Sequence, residues 1–267
     1  MKAYIKVNQE EMRVMAYQHV FKRKEVKYLI NAEQWQGLLG RFTDHMELDA
    51  YGKHLISNIY YDTQQWYLAR LSLSKPKYKE KIRMRSYGVP TENDKVFLEM
   101  KKKYDGIVYK RRTTMPLKQA ERFLEHKLRI EQPSQILSEF DYLLTLYPDL
   151  RPAMYISYER MAYFCPEDAN VRITFDQNIL YRTENLALSD GSYGKAILPT
   201  GSILMEVKIG GGMPLWLADA FTELKIYPAK YSKFSTGYKN YLSQKTQQNN
   251  LTDVSEQLKR EEMECIA

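Results

Sequence analysis

The chain has 267 residues and a hydrophobic content of 44%, enough to bury a core in one large domain or two small ones. It contains no apolar run near the roughly 20 residues of a membrane-spanning helix, and its first residues lack the apolar stretch of a signal peptide. A net charge of +7 favours a polyanionic partner, whether nucleic acid, an anionic membrane surface or a phosphorylated small molecule. We therefore expect a globular, cytoplasmic protein, and the wide separation of Cys165 and Cys265 fits a reducing compartment.

The first half of the chain is rich in predicted strands. After a polar leader over residues 1–18, a strand is predicted from His19 to Ile30, and Asn31 is placed to cap the helix that follows it. Four β-prone runs come next, with turn residues between them, and their sequences are HLISNIYYDT, KEKIRMRSYG, KVFLEMKKKY and IVYKRRTTM. We expect these runs to form consecutive antiparallel strands.

The second half begins with two amphipathic patterns, PLKQAERFLEHKLR and PSQILSEFDYLLTLY, which predict helices that begin at Pro116 and Pro133. Strands then resume as MYISYERMAYF, VRITFDQNI and SILMEVKIG, and a glycine-rich turn leads to a helix from Leu215 to Lys225. The tail over residues 242–267 is polar and predicts a solvated helix or disorder. Because no repeat or linker interrupts the pattern, we predict one α+β domain over residues 19–241, with a strand spacing that suits a barrel.

Charged residues occupy alternate positions in several predicted strands. In KIRMRS, Lys81, Arg83 and Arg85 share one face of a strand, and Ile82 and Met84 share the other. The same alternation groups Arg23 with Glu25 and Lys27, Glu99 with Lys101 and Lys103, Arg172 with Thr174 and Asp176, and Glu206 with Lys208.

One such strand would be an ordinary solvated sheet face, but five together favour an inward orientation of the charges. A closed barrel with these faces inside would enclose a tunnel lined by cations and a few carboxylates. Arginine and lysine can hold a chain of phosphates from several sides, and the carboxylates offer oxygen ligands to a hard divalent metal. Lys81 lies near the start of its strand, which places it inside the tunnel or at its mouth.

A family resemblance is carried by the order of nine segments: FKRKEVKY, SNIYYDT, KIRMRSYG, FLEMKKK, YKRR, YISYERMAY, VRITFD, ILMEVK and YSKFSTGY. This order resembles the VTC (vacuolar transporter chaperone) catalytic domain of the triphosphate tunnel metalloenzyme (CYTH-like) superfamily, from about His19 to Tyr241. The resemblance implies an antiparallel β-barrel tunnel with peripheral inserted helices. It also implies a polyphosphate polymerase that transfers the terminal phosphoryl group of ATP to a growing polyphosphate chain, assisted by Mn²⁺ or Mg²⁺.

Residue roles follow from the same resemblance. It implies that the catalytic residues are Arg83, Arg85, Arg160, Arg172 and Lys233, and that substrate is bound by Arg23, Lys27, Lys101, Lys110, Tyr158 and Ser232. We add Lys208 to the substrate-binding group because it shares a strand face with Glu206. The resemblance makes Glu206 the metal ligand, with Glu25, Glu99 and Asp176 as weaker candidates.

The first strand departs from the pattern of the superfamily. The common E-x-E-x-K motif would place its first glutamate at Arg23, so this chain keeps only Glu25 and Lys27 of the motif. The loss of one carboxylate reduces the capacity for metal and favours the polymerase over a two-metal triphosphatase.

Two alternatives stay open at this point. One is a triphosphatase or tripolyphosphatase of the same fold, and the other is a polyanion-binding module without turnover, for which buried carboxylates would be wasteful. The expected partners are ATP and polyphosphate rather than nucleic acid, and a separate membrane protein would have to supply a channel if product crosses a membrane. The chain thus resembles a stand-alone bacterial version, cytoplasmic or membrane-associated through that partner. We expect Tyr60 and Tyr61 to make core and turn contacts.

Overall fold

The computed structural model describes residues 24–247, apart from residues 75, 106, 129, 131 and 132. The strands of the described part are β1 (Lys24–Ile30), β2 (Glu47–Leu48), β3 (His54–Asp62), β4 (Tyr78–Tyr87), β5 (Lys95–Tyr104), β6 (Ile107–Pro116), β7 (Arg151–Phe164), β8 (Arg172–Arg182), β9 (Lys195–Ala196) and β10 (Ile203–Ile209). Its helices are α1 (Ala32–Phe42), α2 (Tyr67–Leu73), α3 (Leu117–Leu124), α4 (Gln135–Leu146), α5 (Leu215–Glu223) and α6 (233–247).

The strands form one antiparallel sheet in the order β1-β10-β8-β7-β3-β4-β5-β6, with β2 added to β7 and β9 added to β8. The sheet curls into a half-barrel, so the predicted α+β class and antiparallel architecture are confirmed. The predicted closure is wrong: in the part of the chain that the structure describes, no backbone pairing joins β1 to β6. The outer edge of β1 is taken instead by the segment after α5, where the Ala229 amide donates to the Lys27 carbonyl at 2.7 Å.

Helices α1, α3 and α5 begin where the sequence predicts, α4 begins two residues after the predicted Pro133, and α2 is not among the predicted elements. The side chain of Asn31 accepts from the Gln34 amide, and the Gln34 side chain accepts from the Asn31 amide, which together make a capping box at the start of α1. The helix that begins after Pro116 is shorter than predicted, because Lys127 adopts a positive φ of 54° and the Leu128 amide donates back to the Arg122 carbonyl. The helix therefore ends at Leu124, before the charged residues at the end of the predicted segment.

The apolar faces of the strands point out of the half-barrel and pack under the helices. Ile82 and Met84 of β4 are fully buried in a cluster that includes Phe123 of α3 and Phe140 of α4. A second cluster joins β1, β8 and β10 to α1 and α5. A third joins β3 and β7 to α6 on the inner side, since its members Tyr60, Tyr158 and Phe234 also line the cavity. Because α1, α3, α4 and α5 take the outer face of the sheet, the charged face is left to line the inside together with the start of α6, as the alternation predicts.

The described residues begin inside the predicted domain and end after it. The start of the predicted first strand, including Arg23, and the tail from residue 248 lie outside the described residues. The last described element, α6, continues past Tyr241 to residue 247. Across residues 24–247, excluding the five positions left undescribed, no helix combines the length and apolar character needed to cross a bilayer.

Candidate functional site

A cavity of about 190 Å³ lies inside the half-barrel, lined by residues from seven strands and by the start of α6. Its charged lining consists of nine basic residues and three acidic ones: Lys27, Lys81, Arg83, Arg85, Lys101, Lys110, Arg160, Lys208, Lys233, Glu25, Glu99 and Glu206. Since liquid water takes up about 30 Å³ per molecule, the cavity has room for roughly six waters or a short chain of phosphate groups. The excess of cations selects an anion as its ligand.

Most of the predicted site residues meet at this cavity. Eleven of them line it, and these are Lys27, Arg83, Arg85, Lys101, Lys110, Tyr158, Arg160, Glu206, Lys208, Ser232 and Lys233. Their convergence from separate strands and one helix is what a binding site requires.

The structure does not bring Arg172 into the lining. Its side chain is about half exposed and donates from Nη2 to Asp49 Oδ2 at 3.0 Å. Arg172 shares a strand face with Thr174 and Asp176, but it is the first residue of β8 and lies beyond the cavity. The structure therefore places Arg172 in a salt bridge with Asp49 and not in the lining where it was expected, and its catalytic role stays a prediction.

Glu99 of β5 is the centre of one group of cations. Its buried carboxylate pairs with Arg83 Nε at 2.6 Å, Lys110 Nζ at 2.7 Å and Arg112 Nε at 3.3 Å. Burial alone would raise the pKa of Glu99, but attraction from Arg83, Arg85 and Lys110 outweighs it and holds the pKa well below its usual range. Glu99 therefore stays charged and keeps these cations from repelling one another.

A second group is centred on Asp176 and Glu206. Arg160 donates from Nε and Nη2 to the two oxygens of Asp176, at 2.6 and 2.7 Å. Lys233 Nζ lies 2.5 Å from Asp176 Oδ2 and 3.4 Å from Glu206 Oε1. Burial would lower the pKa of Lys233, but the two carboxylates raise it above its ordinary value, so the ammonium is charged. The bidentate contact fixes the plane of the Arg160 guanidinium beside the cavity.

The two arginines of β4 are also fixed by neutral partners. Arg83 Nη1 donates to the Tyr60 hydroxyl at 3.0 Å, and Arg85 Nε donates to Asn58 Oδ1 at 2.8 Å. Arg85 Nη2 reaches the Tyr158 hydroxyl at 3.2 Å. Since a guanidinium has five N–H donors, each arginine is held in place and keeps further donors for a ligand.

Lys81 lies in the lining, which settles the position that the sequence left open. Its Nζ donates to Ser232 Oγ at 2.7 Å, and the same Oγ accepts from the Ser235 amide at 3.2 Å as the N-cap of α6. Burial, together with the positive charges of Lys27 and Lys101, lowers the pKa of Lys81 to about 7. Lys81 thus connects β4 to the N-terminus of α6 and changes charge near neutral pH.

Sequence reasoning missed several neighbours of the predicted residues. Tyr60 makes the expected core contacts, with its ring stacked on Phe234 at a centroid distance of 4.7 Å, but its hydroxyl also binds Arg83, which the sequence did not predict. Arg112 pairs with Glu99 and lies 3.7 Å from the centre of the Phe97 ring. Arg112 shares a strand face with Lys110, so the period of two could have found it, whereas Tyr60 carries no charge signal.

Two carboxylates of the lining, Glu25 and Glu206, contact the same lysine. Lys27 Nζ lies 3.4 Å from Glu206 Oε1 and 3.6 Å from Glu25 Oε1, so these two acids share a neighbourhood in the lining. No group of three or more acidic, histidine or cysteine side chains suited to a metal occurs in the described part of the chain. Mg²⁺ is usually held by one or two carboxylates together with substrate phosphates. The pair of Glu25 and Glu206 fits that kind of site.

Comparisons with known proteins agree with this architecture. The vacuolar transporter chaperone complex subunit 4 of Trypanosoma brucei brucei (strain 927/4 GUTat10.1) is 25% identical over 213 residues, which make up 64% of this chain and 27% of that protein. The chain therefore spans about a quarter of the length of this curated relative.

Among solved structures, the chain is similar to HpAC1 from Hippeastrum, which is named as an adenylyl cyclase and described as having a dominant triphosphatase activity. The TM-score is 0.51 at 16% identity, over 81% of this chain and 95% of that one. At this identity the likeness shows a shared fold alone. The model of the VTC domain matches residues 22–242, which covers nearly all of the described structure. This chain belongs to the VTC domain family.

Proposed function

We propose that this protein is a polyphosphate polymerase, which transfers the terminal phosphoryl group of ATP to a growing chain of inorganic polyphosphate. The observation that carries the proposal is the convergence of nine basic side chains on one cavity, beside carboxylates that are themselves paired with cations. The membership of the VTC domain family and the name of the trypanosome relative add support.

The lining suits a transfer that needs alignment and charge stabilisation more than covalent help. Phosphoryl transfer has little covalent chemistry for the protein to perform, and its barrier falls mainly through positioning and electrostatics. The cavity lining contains neither cysteine nor histidine among its described residues. We assign no covalent nucleophile to this chain.

The arginines would hold the triphosphate. Glu99 and Tyr60 fix Arg83, Asn58 and Tyr158 fix Arg85, and Asp176 fixes Arg160, so that the three guanidinium groups face a ligand without first having to reorganise. Rigid donors of this kind stabilise developing charge because they are already oriented before the reaction. Lys233, charged and buried, would add a fixed positive charge at the N-terminus of α6.

Three lysines of the lining would guide the acceptor chain. Lys27, Lys101 and Lys110 come from three different strands, and the side chains of Lys101 and Lys110 are each 45% exposed. This exposure leaves them accessible to a chain that enters from solvent. Lys208 and Ser232 complete the proposed substrate-binding group.

Glu206 and Glu25 would hold Mn²⁺ or Mg²⁺ together with substrate phosphates. Bound there, such an ion would neutralise phosphate charge during transfer. Against the effect of burial, Lys233 and Lys27 lower the pKa of Glu206, and Lys101 and Lys27 lower that of Glu25, because opposite charge favours the ionised acid.

The trypanosome relative is named as a subunit of a complex, and we propose that the present chain also acts with partner proteins. A separate membrane protein would receive the polyphosphate if the product has to leave its compartment. The protein itself would then act on ATP and polyphosphate, associated with the membrane through that partner.

The test is to incubate the purified protein with ATP and Mn²⁺ or Mg²⁺ and to resolve polyphosphate, ADP and free phosphate over time. We expect polyphosphate to form in step with ADP. An Arg83→Ala variant should lower the rate roughly a hundredfold, because it removes preorganised donors. Arg41→Ala is the matched control, since Arg41 pairs with Glu223 on the surface, outside the cavity.

Each other outcome points to a different function. Free phosphate without polyphosphate would make the protein a triphosphatase of the same fold. Binding of polyphosphate without consumption of ATP would make it a polyanion-binding module. Equal rates for Arg83→Ala and Arg41→Ala would show that the reaction does not take place in the cavity.

A further inference from the structure

Four aromatic side chains form a row beside the charged cavity. They are Tyr51, His54, Tyr87 and Phe97, and we call them the aromatic row. The centres of neighbouring rings are 6.1 Å apart between Tyr51 and His54, 5.9 Å between His54 and Tyr87, and 5.4 Å between Tyr87 and Phe97. The row therefore runs from the turn before β3 across β3 and β4 to β5.

The rings of the aromatic row are open to solvent. Tyr51 is 80% and Tyr87 is 50% exposed, and His54 and Phe97 are partly buried. The three buried clusters in the described part of the chain contain none of the four. Packing of the core thus does not account for the row, whereas a solvent-open aromatic surface beside a charged site suits a planar ligand.

Arg112 connects the aromatic row to the cavity. Its guanidinium lies 3.7 Å from the centre of the Phe97 ring, and its Nη2 donates to the Tyr87 hydroxyl at 3.2 Å. On its other side, Arg112 Nε lies 3.3 Å from Glu99 Oε1, and Glu99 belongs to the cavity lining. The row and the phosphate-binding cations are therefore parts of one continuous surface.

The order of side chains along β4 gives the distance between the row and the cavity. Arg83, Arg85 and Tyr87 follow one another at intervals of two residues, so they share the inner face of the strand. Tyr87 lies four residues past Arg83, which is about 13 Å along a strand. This distance is comparable with the reach of three phosphates and a ribose, so a nucleoside triphosphate held at Arg83 can place its base at Tyr87.

The direction agrees with the proposed position of the acceptor. Along β5 the inner face presents Phe97, then Glu99, then Lys101, and Lys101 is paired with Lys110 of β6. Lys101 and Lys110 are two of the lysines proposed to guide the acceptor chain. In phosphoryl transfer the attacking and leaving oxygens lie roughly in line, on opposite sides of the transferred group. With the acceptor at these lysines, the leaving nucleotide points the other way, towards Phe97 and the aromatic row.

We propose that the aromatic row binds the base of the nucleoside triphosphate, which stacks on Tyr87. The inference rests on the proposed function, because it identifies where the nucleoside end of the same substrate lies. A ligand made of phosphates alone, such as tripolyphosphate, ends inside the cavity and does not touch the row.

The test compares two ligands that carry three phosphates each. One is the analogue of ATP with an imido group between its β and γ phosphates, which is not cleaved there, and the other is tripolyphosphate, both with Mg²⁺. The proteins are the wild type, Tyr87→Ala, Tyr87→Phe and the control Tyr109→Ala. Tyr109 is 52% exposed and precedes Lys110 in β6, so it lies on the opposite face of the sheet. Titration calorimetry measures the affinities, and thermal melts verify that the variants are folded.

We expect Tyr87→Ala to bind the ATP analogue roughly tenfold more weakly, because it loses the stacking of one base, and tripolyphosphate as tightly as the wild type. Tyr87→Phe keeps the ring and loses only the hydroxyl that accepts from Arg112, so it should match the wild type with both ligands. The Tyr109→Ala control should also match the wild type.

Unchanged affinity of Tyr87→Ala for the ATP analogue, or an equal loss for both ligands, would overturn the base site. A loss for Tyr87→Phe as large as that for Tyr87→Ala would overturn it too, because the hydroxyl and not the ring would then matter. If the wild type still converts ATP to polyphosphate in these cases, only the base site is overturned and the proposed function stands. A wild-type protein that binds neither ligand would overturn both proposals.

Discussion

Lys81 lies where positive charges from three strands meet. Lys27 of β1, Lys101 of β5, and Lys79 and Arg83 of its own strand all act on it, and its one recorded hydrogen bond in the described structure is to the neutral Ser232. Burial and this repulsion favour the neutral amine, which is why the pKa falls to about 7. A phosphate ligand would reverse the balance, because its negative charge favours the ammonium.

Ligand binding should therefore be linked to proton uptake above neutral pH. At pH 8 Lys81 is mostly neutral in the free protein and becomes protonated when tripolyphosphate binds, so affinity falls as the pH rises through and above 7. Titration calorimetry in buffers of different ionisation enthalpy measures the number of protons taken up. We expect Lys81→Met to take up fewer protons than the wild type and the Lys102→Met control to take up as many. Equal proton numbers for wild type and Lys81→Met would contradict the linkage.

The residues of the site were predictable to the extent that their charge alternates along a strand. The period of two gives the face on which a side chain lies, and it placed Arg83, Arg85 and Lys101 correctly inside. It does not give the depth along the tunnel, which is why Arg172 was expected in the site and lies beyond it.

Neutral partners could not be found in this way. Asn58 and Tyr60 bind Arg85 and Arg83 because β3 and β4 pair in the register that places them opposite each other. This register depends on which strands are neighbours in the sheet, and the sequence of one strand does not predict its neighbours.

The start of α6 connects the elements around the cavity. Ser232 caps the helix, accepts from Lys81 of β4, and is followed by Lys233 and Phe234, which both line the cavity. Because the Ser232 hydroxyl caps the start of α6 and also contacts β4, it serves both the stability of the helix and the shape of the site.

Replacement of this cap should affect stability and binding together. We expect Ser232→Ala to lower the free energy of unfolding by about 1 kcal/mol and to weaken tripolyphosphate binding roughly tenfold, since Lys81 loses its partner. Ser134 caps α4 by accepting from the Leu137 amide and does not line the cavity, so Ser134→Ala is the control. It should cost about the same stability and leave binding unchanged. Denaturant melts and titration calorimetry measure the two effects, and equal affinities for the two variants would refute the role of Ser232.

Elements were predicted well where a local signal marks them. Asn31 and Pro116 stand at the starts of helices, and the predicted helices begin there. The helix predicted from Pro133 begins two residues later, after its N-cap Ser134. The helix α2 has no such signal, because its N-cap is Trp66 in a left-handed conformation. Its first turn is held by Asp62, which accepts from the Leu68 and Ala69 amides and which belongs to the preceding strand.

The concave surface of the molecule carries an excess of positive charge, with nine basic and three acidic residues around the cavity. Nine cations around one cavity repel one another in the free protein, and a polyanion that binds only the folded state removes this cost. At a concentration one hundred times its Kd, such a ligand stabilises the fold by about 2.7 kcal/mol.

Tripolyphosphate should therefore raise the melting temperature by roughly 5–11 °C, given the usual shift for a domain of this size. Potassium chloride at the same ionic strength is the control, and we expect it to produce a much smaller shift, because it only screens the charges. Differential scanning calorimetry measures both. A chloride shift as large as that of tripolyphosphate would show that the fold responds to ionic strength rather than to a bound ligand.

The unclosed half-barrel has a consequence for the behaviour of the protein in solution. An open sheet has two edges, and a bare edge can pair with the edge of another copy. The β1 edge is covered by the segment after α5, through the Ala229 amide and the bridge of Tyr28 with Pro228. The β6 edge instead carries Lys110, Arg111 and Arg112, so that two such edges repel each other. The molecule can thus keep its cavity open on one side without inviting strand exchange or aggregation at high concentration.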